Sequence, residues 1–456
     1  MTPRELPIAG TREILGGALA FKRDQLGFLA DGISRHGDLF RFSPLGLTMI
    51  LANHPDHIQH ILVDGEHRYD KDASLFKIVR PVLGEGLIVI ADKERWRRQR
   101  RMMAPHFTPR TVAGFAENMT GETLSMLERW ERRPAGDDGL LDVTDEIGQL
   151  ALRIVNRSLF SADVSEAAQI FERAFASANG VLGSFFRFPF PPLTWPTPRR
   201  RRLRRAIDDM DRFISGVLKQ RLGDEEAEGT SPAEPDLLTL LLHSVDDDGH
   251  EMDLGQLHHE VLNICVGAFE TTTNALSWAF YLLARHPEAE ARLHEEVDRV
   301  LGGRVPTFDD LPRLEYTRRV IDETLRIYSP AHMTMRHARE EDVIAGYRIP
   351  VGSNILINTY LLHRHPEFWH SPETFDPDNF TPERVAERPK HAYVPFGSGP
   401  RVCVGKHFAL AELVLALSTV ARGHRLVLPR GARPVEPEPL VTLHPRGGIQ
   451  LRLAHR

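Results

Sequence analysis

The ten residues Phe396–Gly405 (FGSGPRVCVG) limit what this chain can fold into more than any other stretch. Glycines at 397, 399 and 405 tolerate a positive φ and close backbone approach that a Cβ would forbid, so the loop turns tightly and covers Cys403 thinly. Just behind it, His407–Leu417 (HFALAELVLAL) carries apolar residues at helical spacing. Cys403 therefore stands near a helix N-terminus, where unpaired amides and the dipole favour an anion, and a thiolate is expected to be stabilised there. Arg401, two residues before the sulfur, adds a fixed positive charge suited to a carboxylate on a bound ligand.

A long helical stretch is the second constraint. Asp253 with Gln256 reads as a capping box, and helical sequence continues from Leu257 to Arg285, where His286-Pro287 stops it. At 1.5 Å per residue it spans roughly 45 Å, enough to cross a whole domain. Its middle, ICVGAFETTTNAL, sets Glu270, Thr271, Thr272, Thr273 and Asn274 between apolar flanks. Poor helix formers in the centre of a buried helix go against local preference, which marks a functional position. A threonine hydroxyl can capture the carbonyl one turn back and Gly267 loosens the same turn, so a local widening of the helix is expected.

No linker of domain-separating size and no repeat interrupts the 456 residues, so 1–456 is expected to form one domain, with no reductase fused to it. A net charge of -6 lacks the basic footprint that nucleic acid requires. Two cysteines, Cys265 and Cys403, suit a reducing compartment without disulfides, hence the cytoplasm. The N-terminal residues show neither an apolar run long enough for a membrane anchor nor a signal-peptide core.

Residues 38–52 read as a hairpin turning at Pro44–Gly46, and a second hairpin spans 336–358. Asp92–Met103 reads as a helix with Trp96 and Arg100 at i and i+4 on one face. Residues 111–186 look largely helical. The proline-rich, then arginine-rich segment Arg187–Arg205 reads as a surface connection, and Gly223–Pro235 as a solvated loop. Glu323 and Arg326 share a helix face at i and i+3.

Phe396, Gly397, Gly399, Arg401, Cys403 and Gly405 match all six fixed positions of the heme-binding loop of the cytochrome P-450 family, which the chain resembles along most of its length. The resemblance implies a mainly α, triangular helical fold with a small β-rich region, binding heme b with the Cys403 thiolate as the axial ligand of iron. It implies propionate contacts from Trp96, Arg100, Arg336 and Arg401. Gly267-Ala268-Phe269-Glu270-Thr271 resembles the family's oxygen-binding groove, with Ala268 in place of the usual glycine; Thr271 would hydrogen-bond dioxygen and Glu270 deliver protons. Glu323 and Arg326 would be a buried structural pair, with Asn379 where the family often has arginine. The segment 187–205 would be a lid over the substrate entrance with Phe185, Phe186, Phe188, Phe190 and Trp195 beneath it. Ile88, Val89, Val266, Gly267, Ala268, Thr271, Met333 and Val441 would wall a substrate pocket, with Ala331 and His332 beside it. The implied activity is O2-dependent hydroxylation of an apolar lipid-like or terpenoid molecule. The alternatives are coupling, desaturation or rearrangement on the same fold, or a non-enzymatic heme-thiolate sensor. Electrons would come from a separate ferredoxin or flavodoxin with its reductase, drawn by arginines of 95–101 such as Arg98 and Arg101.

Overall fold

The computed structural model describes residues 3–9, 21, 23–43, 48–132, 139–160, 165–187, 193–228 and 236–456. Among them, eleven helices have ten or more residues: α1 (Gln25–His36), α2 (Ser74–Leu83), α3 (Lys93–Met103), α4 (Ala116–Glu131), α5 (Val143–Phe160), α6 (Ser165–Arg187), α7 (Pro198–Glu228), α8 (Leu254–Arg285), α9 (Pro287–Leu301), α10 (Glu315–Ile327) and α11 (Lys406–Ala421). The fold is mainly helical with a small β region.

Helix α8 is the axis of the molecule. It packs against α5, α7, α10 and α11, and Trp278, fully buried, stacks on Tyr328 at 3.8 Å between centroids. Asp253 accepts from the Gln256 amide at 2.9 Å, but the Gln256 side chain turns to Glu85, Glu260 and Arg95 instead of returning to the cap. The expected capping box is therefore a one-sided N-cap. No widening occurs either, since α8 is α-helical throughout its 32 residues. The hydroxyls of Thr271 and Thr273 donate to carbonyls four residues back without displacing the helical ladder.

The expected hairpin pairs Leu39–Phe42 with Met49–Ala52; its turn lies outside the described residues. Met49–Ala52 runs parallel to Asn354–Asn358, which pairs antiparallel with Met333–Ala338, and Tyr69–Asp70 closes this five-stranded sheet. The second hairpin is thus nested. Its outer arms begin at Met333, and a smaller hairpin, Asp342–Ile344 with Tyr347–Ile349, sits at its tip.

The segment 187–205 needs correction. Helix α6 continues to Arg187 and α7 starts at Pro198, so the arginines from 199 to 205 lie in the first turns of α7. Proline fits a first helical position and arginine is a good helix former, so both favour this boundary. Phe185 is half-buried with the Arg199 guanidinium 5.5 Å from its ring, and Trp195 is exposed. Phe188, Phe190 and the side chain of Phe186 fall outside the described residues. The loop expected from Gly223 is helical to Glu228, and the rest of it is not described. No helix among the described residues is long and apolar enough to cross a membrane.

Candidate active site

Gly397 and Gly399 adopt φ of 73° and 70°, and a Cβ on Gly399 would lie 1.9 Å from the Leu62 carbonyl oxygen, so that position admits only glycine. The Cys403 amide donates to the Phe396 carbonyl at 2.9 Å, closing the loop, and Gly405 caps α11. The thiol is enclosed by protein yet open on an internal space. Burial pushes its pKa up, against smaller downward pulls from the Gly405 amide, Arg100, Lys71 and Lys406. Burial thus opposes the thiolate that the helix terminus favours. A bound cation would favour it.

Around this sulfur lies a cluster of cations. Arg401 donates to the Ile90 carbonyl at 2.7 Å and covers the buried Trp96 ring at 4.4 Å, while its second terminal nitrogen has no partner. Arg336 donates to the Met335 carbonyl, and Arg100 is half-buried. Lys71, which nothing in its acidic local sequence singles out, donates to the Ile88 carbonyl at 2.6 Å. Burial pulls Arg336 and Arg401 down to about 10 and Lys71 well below its usual range. Arg401 repels Arg336, both repel Lys71, and Arg97 repels Arg401, while the more distant Glu66 and Asp70 pull the two arginines up; burial alone lowers Arg100. None of the four has a carboxylate within ion-pair distance among the described residues. Buried like charges without counter-ions are unfavourable until an anion arrives. One open thiol ringed by unpaired cations suits a metal-centred group carrying carboxylates.

The facing wall comes from α8. Between Glu260 and Leu283 only Ile264, Gly267, Ala268 and Thr271 are not buried, and their spacing of i, i+3, i+4 and i+7 forms one stripe. Ile88 reaches within 3.6 Å of where a Gly267 Cβ would stand. Met333 and Val441 are half-buried, whereas Val89 and Val266 pack into the core and do not belong to the open wall. Ile264, by contrast, was not expected there. His332 is also a correction: it is 1% exposed, its ring nitrogens lack side-chain partners, and burial lowers its pKa to about 4, while its neighbours Ala331 and Met333 stay open. Glu260 accepts from the Leu87 amide at 3.0 Å and Asn263 from the Ile88 amide at 3.2 Å, so α8 itself fixes the loop carrying Ile88. Two polar residues three apart on an apolar helix were the available signal.

Glu270 and Thr271 adjoin in sequence but point apart. The Thr271 hydroxyl donates to the Gly267 carbonyl at 2.6 Å, on the open stripe. Buried Glu270 accepts from Asn179 at 2.9 Å and Thr442 at 2.7 Å, and pairs with His444. Thr272 turns to α11, donating to Glu412, a fully buried acid whose pKa burial raises to about 8.

A family profile described as Cytochrome P450 matches residues 12–452. The chain belongs to the cytochrome P450 family. It is 34% identical to the cyclooctatin synthase of Streptomyces melanosporofaciens, over 97% of this chain and 93% of that protein. It is also 34% identical to the pentalenene oxygenase of Streptomyces avermitilis, over 98% and 96%. The crystal structure of the cytochrome P450DA heme domain superposes with a TM-score of 0.84 at 27% identity, covering 100% of this chain and 99% of that one. Cytochromes P450 are heme-thiolate monooxygenases, and the thiol and cations described above fit heme b with its two propionates.

Two further features complete this P450. Glu323 and Arg326 are both fully buried and joined by two hydrogen bonds of 2.7 Å; Arg326 also donates to the carbonyls of His363, Pro372 and Thr374. Asn379 donates to Glu323 at 3.2 Å, so asparagine serves as the third partner. On α3, Arg98 and Arg101 are held in ion pairs with Asp246 and Asp247, both at 2.6 Å. Their charge is therefore partly neutralised, which the run of arginines in the sequence did not disclose.

Proposed function

We propose that this cytochrome P450 hydroxylates a small-to-medium apolar, terpenoid-like molecule, with residues 1–456 acting as one heme domain in the cytoplasm. The observation that carries the reading is the open Cys403 thiol among part-buried and buried cations without ion-pair partners, joined by the Lys71–Ile88 contact to the apolar stripe of α8. Cys403 would hold the iron, with Phe396, Gly397 and Gly405 shaping the loop; Lys71, Arg100, Arg336, Arg401 and Trp96 would hold the propionates. Heme supplies reductive activation of O2 when bound. Ile88, Ile264, Gly267, Ala268, Met333 and Val441 offer almost no hydrogen-bonding side chains, which suits a hydrocarbon skeleton. Relatives named for pentalenene and cyclooctat-9-en-7-ol point the same way.

Thr271 presents an oxygen on the open stripe, and Glu270, the next residue, would pass protons towards it. In Thr271→Ala, cofactor oxidation is expected to continue while product per reduced cofactor falls about tenfold and hydrogen peroxide rises, because an oxygen-bound proton is no longer guided. Quantifying product, cofactor and peroxide together checks this; wild-type coupling in the variant would overturn the assignment.

Electrons would arrive from a separate acidic ferredoxin or flavodoxin. Arg97 is exposed, has no ion-pair partner among the described residues, and its charge is felt at Arg401. We expect Arg97→Glu to lower the rate of first electron transfer at limiting donor several-fold at low salt, with the difference fading as salt screens it. Equal rates at low salt would remove this face as the docking site.

A further inference from the structure

We propose that His444 is the positioning residue that loads protons onto Glu270 and then lets the acid leave its buried network. This rests on the reading of Glu270 as the proton carrier, and adds the group that feeds and releases it.

The geometry is specific. Of the three side chains bonded to Glu270, Asn179 on α6 and Thr442 cannot exchange a proton at neutral pH, and His444 can. The accessibilities differ in the same sense: 24% of the His444 side chain is open against 7% of Glu270. Water can therefore reprotonate the imidazole without reaching the carboxylate.

His444 lies on the strand Leu443–Pro445, paired with Pro437–Pro439, where Glu438 stands directly opposite it. The charged and titratable groups around it are Glu270 from α8, Glu438 from the facing strand, and His332 from the segment before Met333, neutral at ordinary pH. Burial opposes a charge on the ring, but hydrogen bonding to Glu270, its charge and that of Glu438 outweigh it, and the pKa of His444 is raised. When the ring carries its second proton, the contact between His444 and Glu270 is an ion pair.

Glu270 in that state is held away from the Gly267–Thr271 stripe. Transfer of the Nε2 proton to a Glu270 oxygen leaves neutral imidazole and neutral acid, with no change in net charge. Hydrogen bonds between neutral groups are about half as strong as charge-assisted ones, so the same proton transfer loosens the hold on the acid. The protonated side chain can then turn towards the stripe and give its proton to oxygen there. The imidazole regains a proton from solvent, and the returning carboxylate re-forms the pair. His444 thus couples loading to release.

The test compares His444→Gln, Glu270→Gln and the double variant, each loaded with heme. Glutamine keeps a donor to Glu270 but cannot carry a proton. Product per reduced cofactor is expected to decline in the wild type as pH rises through the raised imidazole pKa, and in His444→Gln to fall ~3- to 10-fold and lose that pH dependence. Thermal unfolding gives a readout independent of turnover. A histidine whose pKa is raised by folding stabilises most below its unfolded pKa of about 6.5, and that stability is lost as pH rises through the folded value. The unfolding-temperature gap between wild type and His444→Gln should therefore be largest near pH 6 and shrink at higher pH, and Glu270→Gln should abolish the shrinkage. Wild-type coupling in His444→Gln beside an uncoupled Glu270→Gln would overturn this inference alone. Wild-type coupling in Glu270→Gln would remove the parent reading and this one together.

Discussion

Replacing Cys403 by histidine or by serine is expected to abolish product formation and to remove the red-shifted Soret band of the reduced, CO-bound protein. Folding should survive, because the thiol faces an internal space and the backbone around it is set by Gly397, Gly399 and the Cys403 amide bond to Phe396. Histidine can still bind iron through nitrogen but lacks the electron push of a thiolate, the property that favours O–O cleavage. Serine tests the same point with little change in shape. Bound iron would favour the thiolate against burial, which raises the thiol pKa while the surrounding cations lower it. Far-UV circular dichroism should be unchanged in both variants while the CO spectrum shifts to that of a non-thiolate complex. A red-shifted band retained in either would mean that the sulfur is not the ligand.

Much of this site was legible in the chain because the physics involved is local. Positive φ at glycine and a stop at His286-Pro287 need no tertiary information, so the 396–405 loop and the C-terminal bound of α8 could be read directly. The remainder depended on what surrounds each residue. Lys71 reads as solvated between Asp70 and Asp72, and only the folded chain encloses it with Arg336 and Arg401. The helix terminus that favours a thiolate at Cys403 is local and readable, whereas the burial that opposes it is not. Glu270 and Thr271 look like one unit in sequence, but consecutive residues on a helix diverge by about 100°. His444, 174 positions after Glu270, could not be paired with it in advance. Arginine-rich sequence after a proline cluster suggested a loop, whereas Pro198 in fact opens α7.

Arg326→Met should be the most destabilising of the substitutions considered, lowering stability by roughly 3–5 kcal/mol, the usual cost of breaking a buried ion pair from one side. Glu323 has no exposure, and without Arg326 its carboxylate keeps only the Asp376 amide and Asn379 as partners. The carbonyls of His363, Pro372 and Thr374 lose their donor as well. Arg326→Lys should restore little of this, since an ammonium cannot fork two hydrogen bonds to Glu323 while reaching three carbonyls. In the double variant Glu323→Met/Arg326→Met no charge is stranded, so it should be more stable than Arg326→Met. It should still fall below wild type, because each buried carbonyl left without a donor costs about 1–3 kcal/mol. Denaturant unfolding measures this order, and wild-type stability in Arg326→Met would contradict it. The loss should also reach the heme site, because the His363 carbonyl accepts from Arg326 while the His363 ring accepts from the Val394 amide, two residues before Phe396. Loosening the pair frees the entry to the Cys403 loop, so the surviving folded fraction of Arg326→Met should hold less heme in the thiolate-bound form than the double variant does.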